Sequence, residues 1–312
     1  MKKSFLILFL LASFSIKAQD DTIKNIITEA TENSHLEILA HELLDIVGPR
    51  LTGTPQMRNA HDWAVQRYAD WGINAKIHEW GEWNGWERGI THIDMISPRV
   101  RTLSGIQLGY SPSTSLKGIT GELDVIPEVK NKDEFNAWLK TIKGKFILSS
   151  MYQITGRPDY NWEEYATPES FKKMKETRSE ATRKWNSNFR KMGINRRQIS
   201  KTLEDAGAIG LLSSNWAGGF GANRIFSTGT KTIPHLDIEL EDYSMLYRMV
   251  ESGAGPEIRV VSTSKDLGIV PTFNTLAEIK GVEKPDEYVI LSAHFDSWDG
   301  ATGATDNGTG TI

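Results

Sequence analysis

The run Tyr288-Val289-Ile290-Leu291-Ser292-Ala293 is apolar at nearly every position, with no polar alternation. Such a run predicts a strand buried on both faces, as at the parallel or mixed centre of an α/β sheet. In sheets of that kind ligands collect at the carboxyl ends of the strands, where the loops fan apart. The residues that follow therefore carry the most information: His294-Phe295-Asp296-Ser297-Trp298-Asp299, a Gly/Ala/Thr stretch from Gly300 to Thr305, then Asp306-Asn307-Gly308-Thr309-Gly310.

Side chains two apart on a strand point the same way. Asp296 is thus placed to accept an N–H from His294, orienting the imidazole and raising the basicity of its other nitrogen, the usual support for a metal-bound histidine. Asp306 comes twelve positions after His294, at the end of a loop small enough to fold back over the strand end. A carboxylate there can bridge two cations. The chain has no cysteine, so thiolate nucleophiles and Cys-ligated metals are excluded, and any metal must sit on His, Asp and Glu. Imidazole with carboxylate suits zinc, with manganese or cobalt as chemical alternatives. A His-x-Asp triplet alone is common and mostly structural; the strand, the glycine-rich loop and the second carboxylate give this one its weight.

The rest of the chain sets the frame. A length of 312 residues predicts about two domains. With 39% hydrophobic and 24% charged residues, neither wholesale disorder nor a polytopic membrane protein fits. A net charge of −4 is too small to imply nucleic acid or an anionic membrane as the main partner. Lys2 and Lys3, the apolar run Phe5 to Ile16 and the small Ala18 form the pattern of an export leader over 1–18, cleaved before Gln19. The protein is accordingly expected to be periplasmic or secreted, with no stable membrane anchor.

Periodicity predicts a helix over Thr22–Val47. A break of two prolines and two glycines follows in Gly48-Pro49-Arg50-Leu51-Thr52-Gly53-Thr54-Pro55, then a helix over Gln56–Trp71 capped by Gly72. Ile73–Trp80 alternates as a strand. From about Leu103, short apolar runs punctuated by glycine predict a small β-rich unit over 103–265. Its strands are expected within Gly118–Ile126, Lys143–Leu148, Ala206–Leu212, Thr232–Leu236 and Glu257–Ser262, with a helix over Glu239–Glu251. Within it lies a helical insertion, about 151–199, whose main helix starts at Thr167-Pro168 and ends at Gly193. From Lys172 to Lys201 there are eleven Lys or Arg against two Glu, which reads as the solvated face of an amphipathic helix. Phe273 to Ile279 suggests a further strand before the apolar run.

The stretch Leu291–Gly310 resembles the metal-binding core of the M28 family of zinc exopeptidases, most of all its carboxypeptidase Q group. The Ser297-Trp298-Asp299 run and Val47-Gly48-Pro49-Arg50-Leu51-Thr52-Gly53-Thr54 agree with that likeness, and the glycine-punctuated middle is similar to a protease-associated insert. The resemblance implies an α/β fold: a mixed-sheet zinc-peptidase domain over 19–102 and 266–312, interrupted by the insert over 103–265. It implies two Zn2+ ions, with His294 a ligand of one, Asp306 bridging both, Asp296 orienting His294, and a cis peptide bond between Asp306 and Asn307. It further implies hydrolysis of terminal peptide bonds in short peptides, of carboxypeptidase or dipeptidase type, with a homodimer possible. Aminopeptidase activity, or a non-catalytic binding module on the same fold, are the alternatives. The family's Glu-Glu pair, which includes its general base, has no counterpart up to Ile312. The chain is therefore expected to be the N-terminal portion of an enzyme, truncated within its catalytic domain and inactive alone. His41-Glu42 lacks the second histidine of a His-Glu-x-x-His helix, and there is no Gly-x-Ser-x-Gly elbow.

Overall fold

A computed structural model describes residues 21–312; the expected leader over 1–18 lies outside them. Helix α1 covers 21–32, and α2 (Leu36–Ala40) continues into a wider π-helical turn over His41–Val47. The single helix expected over Thr22–Val47 is thus broken near Ser34, and Ile23, Ile26 and Ile27 lie exposed on α1. Helix α3 (Pro55–Asp70) starts where expected. The Thr54 hydroxyl accepts from the Met57 N–H, Pro55 occupies the first turn, and Gly72 takes a left-handed φ of 73° just past the end.

The strands are β1 (Asn74–Ser97), β2 (Arg101–Thr102), β3 (Gly105–Gln107), β4 (Ile119–Val125), β5 (Phe146–Leu148), β6 (Gly210–Ser213), β7 (His235–Ile238) and β8 (Glu257–Glu278). They form one eight-stranded mixed sheet in the order β2-β1-β8-β4-β5-β6-β7-β3. β4, β5, β6 and β7 pair in parallel, while β1 and β8 run antiparallel from Asn74↔Glu278 to Ser97↔Glu257. The short strand expected at Ile73–Trp80 is therefore the first part of β1, and the two runs Glu257–Ser262 and Phe273–Ile279 are the ends of β8. Their glycine-rich and polar middles, Gly81 to Arg88 against Thr272 to Ser264, carry no alternation, so only the ladder reveals the continuity.

The middle of the chain is layered α/β rather than β-rich. Phe146, Leu148, Leu212, Leu236 and Ile238 face helix α8 (Leu240–Glu251), where Tyr243 and Leu246 are buried with them. Ile147 and Leu211 face the opposite way, onto Phe135 of α4 (Lys132–Leu139), Phe189 and Met192 of α6 (Pro168–Met192), and Leu203 of α7 (Ile199–Asp205). A short α5 (Asp159–Tyr165) precedes α6. α6 begins at Thr167, whose hydroxyl accepts from Ser170 N–H, and ends at Gly193 with φ 70°.

One expectation fails outright. Residues 288–293 form no strand, and Tyr288, Val289, Ile290 and Leu291 are 71%, 95%, 81% and 94% exposed. A strand buried on both faces needs ladder partners at its edges and an apolar layer on each side. Among the described residues this run has neither.

Candidate metal centre

Residues 279–303 carry no helix or strand, yet Ser297 and Asp299 are buried. His294 lies between two carboxylates. Its Nδ1 is 3.2 Å from Asp296 Oδ1 and its Nε2 is 2.9 Å from Asp306 Oδ1. The structure thus brings together all three residues singled out in the sequence, one carboxylate on each ring nitrogen. Their side chains are 53%, 52% and 75% exposed in the order His294, Asp296, Asp306. The Asp306–Asn307 peptide bond is cis. Ala304–Gly308 is a kinked π-helical turn running into a three-residue helix, α9 (Thr309–Thr311), whose Thr311 hydroxyl donates to the His294 carbonyl at 3.2 Å.

A neutral imidazole and a carboxylate, with no thiolate nearby, are a donor set for a divalent cation of the zinc type. Two ligands at about 2.0–2.1 Å from one tetrahedral zinc stand roughly 3.3 Å apart, so the observed 2.9 Å between His294 Nε2 and Asp306 Oδ1 needs only a slight opening. Two ligands do not complete a site. Among the described residues no group of three or more His, Asp or Glu converges on one point.

The loop's shape comes from buried polar groups that periodicity does not reveal. Arg50, in the break between the helices, is fully buried. Its Nε donates to Phe295 O at 2.9 Å, Nη1 to Gly48 O and Thr302 O at 2.8 Å each, and Nη2 to Gly303 O at 3.3 Å. The backbones of Arg50 and residue 297 are also joined, since Arg50 N–H donates to Ser297 Oγ and Ser297 N–H donates to Arg50 O. Burial pushes the Arg50 guanidinium below its ordinary pKa, and the negative charge of Asp296 acts the other way. Two glycines leave it room. A Cβ on Gly303, whose φ is 65°, would stand 2.2 Å from Ser297 Cβ, and one on Gly308 would stand 2.4 Å from Leu44 Cδ2.

A second arginine holds the far side of the loop. Arg88, on β1, forms an ion pair with the buried Asp299, donates to the Gln107 carbonyl and lies over the Trp86 ring. Trp298 stays half exposed, edge-on to Phe226 at 5.1 Å between centroids. Nearby, Tyr110 donates to Thr52 O at 2.7 Å and accepts from Trp83 Nε1. Burial, with the charges of Asp296 and Asp299, pushes its phenol up to about 12, so it stays a neutral donor.

Beside His294 and Asp296 a groove of about 1120 Å3 opens between α3, the end of β8 and residues 290–295. Its wall includes Leu39, Trp63, Phe273, Leu276, Ile290 and Phe295. His61 of α3 is buried there, its Nδ1 2.9 Å from Thr275 Oγ1 and its ring edge-on to Phe295. Burial, and then Arg58, hold its pKa down. The sequence offered one clue to Arg50: a lone cation inside a Gly/Pro/Leu/Thr segment, which if buried must find several acceptors at once. Arg88 and Asp299, 211 positions apart, offered none.

Residues 274–312 match the Peptidase family M28 profile. The chain is 27% identical over 301 residues to carboxypeptidase Q of Pongo abelii, which covers 95% of this chain and 57% of that protein. The chain thus spans little more than half the length of such relatives. In fold it is similar to a Peptidase M28 precursor from Shewanella amazonensis, with a TM-score of 0.60 and 21% identity over 94% of this chain and 61% of that one. It is also similar to a zinc aminopeptidase from Bacillus subtilis, with a TM-score of 0.53 and 19% identity over 88% and 54% of the two chains. The resemblance to M28 peptidases therefore holds in sequence and in fold.

Proposed function

We propose, on the premise of this M28-like sequence and fold, that the protein is an exported metallo-exopeptidase and that this chain supplies ligands of its zinc centre. The observation that carries the reading is the His294 imidazole held between Asp296 and Asp306 at the rim of an apolar groove. In it His294 and Asp306 are ligands, and Asp296 fixes the ring through the other nitrogen. Zinc bound there would polarise a scissile carbonyl and lower the pKa of water. None of the three is assigned as the general base.

Residues 103–265 form the module interposed between the two pieces of peptidase domain, in the manner of a protease-associated insert. Its approach to the site is through Phe226 on Trp298 and Ile225 and Ile106 against Gly300. The contact with the loop therefore comes from Ile225, Phe226 and β3. Short peptides are the proposed substrates, with carboxypeptidase or dipeptidase action preferred because the long sequence match is to carboxypeptidase Q. Aminopeptidase action is the second reading, favoured by the shared fold with the Bacillus subtilis enzyme. Export rests on the composition of 1–18.

The test uses the full-length gene product, assayed for bound metal and for cleavage of dipeptides blocked at either end. His294→Ala is expected to lose metal and to lower turnover by more than about 100-fold, beyond the range usual for a supporting group. Equal metal content in wild type and variant would sink the reading. The end whose blocking abolishes cleavage separates the two activities.

A further inference from the structure

The two arms of the site reach His294 and Asp306 by separate routes, and nothing in the short local sequence fixes the gap between them. One arm is the exposed run ending in His294-Phe295-Asp296. The other is the glycine-rich turn from Gly300 into the Asp306 segment. The first arm makes no ladder hydrogen bonds, and the second has a left-handed glycine at each end of its turn, Gly300 and Gly303.

Arg50 touches both. Its Nε takes the carbonyl of Phe295, the residue between His294 and Asp296, while Nη1 and Nη2 take the carbonyls of Thr302 and Gly303. The remaining bond, to Gly48 O, and the paired bonds with Ser297 tie the guanidinium to its own segment and to the middle of the loop. Four donors in a rigid plane thus meet four backbone carbonyls, and no carboxylate is among the partners. The guanidinium fork is suited to this, because its donors are fixed in direction, whereas a lysine offers three donors from a single point. The close packing of Gly303 and Gly308, each with its Cα side within 3.1–3.3 Å of Arg50 Nη2 if a Cβ were present, shows that the loop is built around this group.

We propose that Arg50 is a positioning residue for the metal centre: its four-carbonyl clamp sets the separation of His294 from Asp306. The inference rests on the reading of those two residues as ligands. It assigns a role to the Gly48-Pro49-Arg50 segment, which otherwise looks like a connector between helices. The role is geometric and not merely cationic, so retaining the charge does not retain the function. Arg50→Lys leaves carbonyls of both arms unpaired, and the arms are then free to drift apart.

The experiment measures zinc affinity of the full-length gene product by competition with a chromophoric chelator, and the visible spectrum of its cobalt-substituted form. Arg50→Lys is expected to weaken zinc about 10–100-fold, the range for groups that orient metal ligands, and to alter the cobalt band. Ser297→Ala, which removes one of the accompanying bonds, is expected to fall between wild type and Arg50→Lys, and decides the matter if Arg50→Lys does not fold. Leu203→Ala, in the buried layer under β5 and β6, is expected to lower the melting temperature with zinc affinity unchanged. Wild-type affinity and spectrum in Arg50→Lys, or in Ser297→Ala where only that variant folds, overturn the proposal. So does a loss in Leu203→Ala as large as that in Arg50→Lys, since the effect would then be general instability. His294→Ala separates the two claims: if it binds zinc like wild type, the ligand reading itself fails.

Discussion

Phe146-Ile147-Leu148 and Tyr288-Val289-Ile290-Leu291 are the same kind of sequence, and they end up in opposite environments. The first is completely buried as β5, while Val289 and Leu291 of the second are more than nine-tenths exposed. β5 has a parallel strand on either side, β4 and β6, with α8 over one face and α4, α6 and α7 over the other. The second run has no ladder partner among the described residues and borders a groove. An unalternating apolar run is a demand for two edges and two layers, and the demand is met only where the rest of the fold supplies them. The site loop teaches another way to fix a segment. It gains its place from buried arginines, Arg50 and Arg88, more than from apolar area.

Three measurements break or sharpen this contrast. Phe146→Ala should cost about 3–5 kcal/mol, the usual range for truncating a buried aromatic side chain, read from urea unfolding. A cost below about 1 kcal/mol would mean that the layers around β5 are not the core they look to be.

Acidification tests the same unit through His235 on β7. Burial holds this imidazole down at about 4, and its Nε2 has no hydrogen-bond partner. In the unfolded chain it titrates near 6.5. Between those values the unfolded state binds the extra proton, so stability is full above about pH 6.5 and falls as the pH drops towards 4, by up to roughly 3 kcal/mol. Unfolding free energies measured across this window should fall less in His235→Asn, and parallel curves for the two proteins would exclude the effect.

The smallest effect is expected at the exposed run. Ile290→Ala in this chain should change stability by no more than about 0.5 kcal/mol. A loss comparable to that of Phe146→Ala would show that the run is covered after all.

Much of this protein can be read along the chain because its causes are local. Thr54 and Thr167 announce their helices through capping, and Gly72 and Gly193 end them through a left-handed turn. His294, Asp296 and Asp306 could also be picked out in advance from their residue types and the small-residue loop between them, although the strand expected to carry His294 and Asp296 does not form. The continuity of β1 and β8 could not, because their polar, glycine-rich middles find each other across nearly two hundred residues. Nor could the clamp of Arg50 on Phe295, Thr302 and Gly303, or the pair of Arg88 with Asp299. A guanidinium carries no periodicity that names its acceptors. Which carbonyls it meets, and whether an apolar run is sheltered or bare, depends on how distant segments come to lie against one another, and that is decided only when the chain is folded.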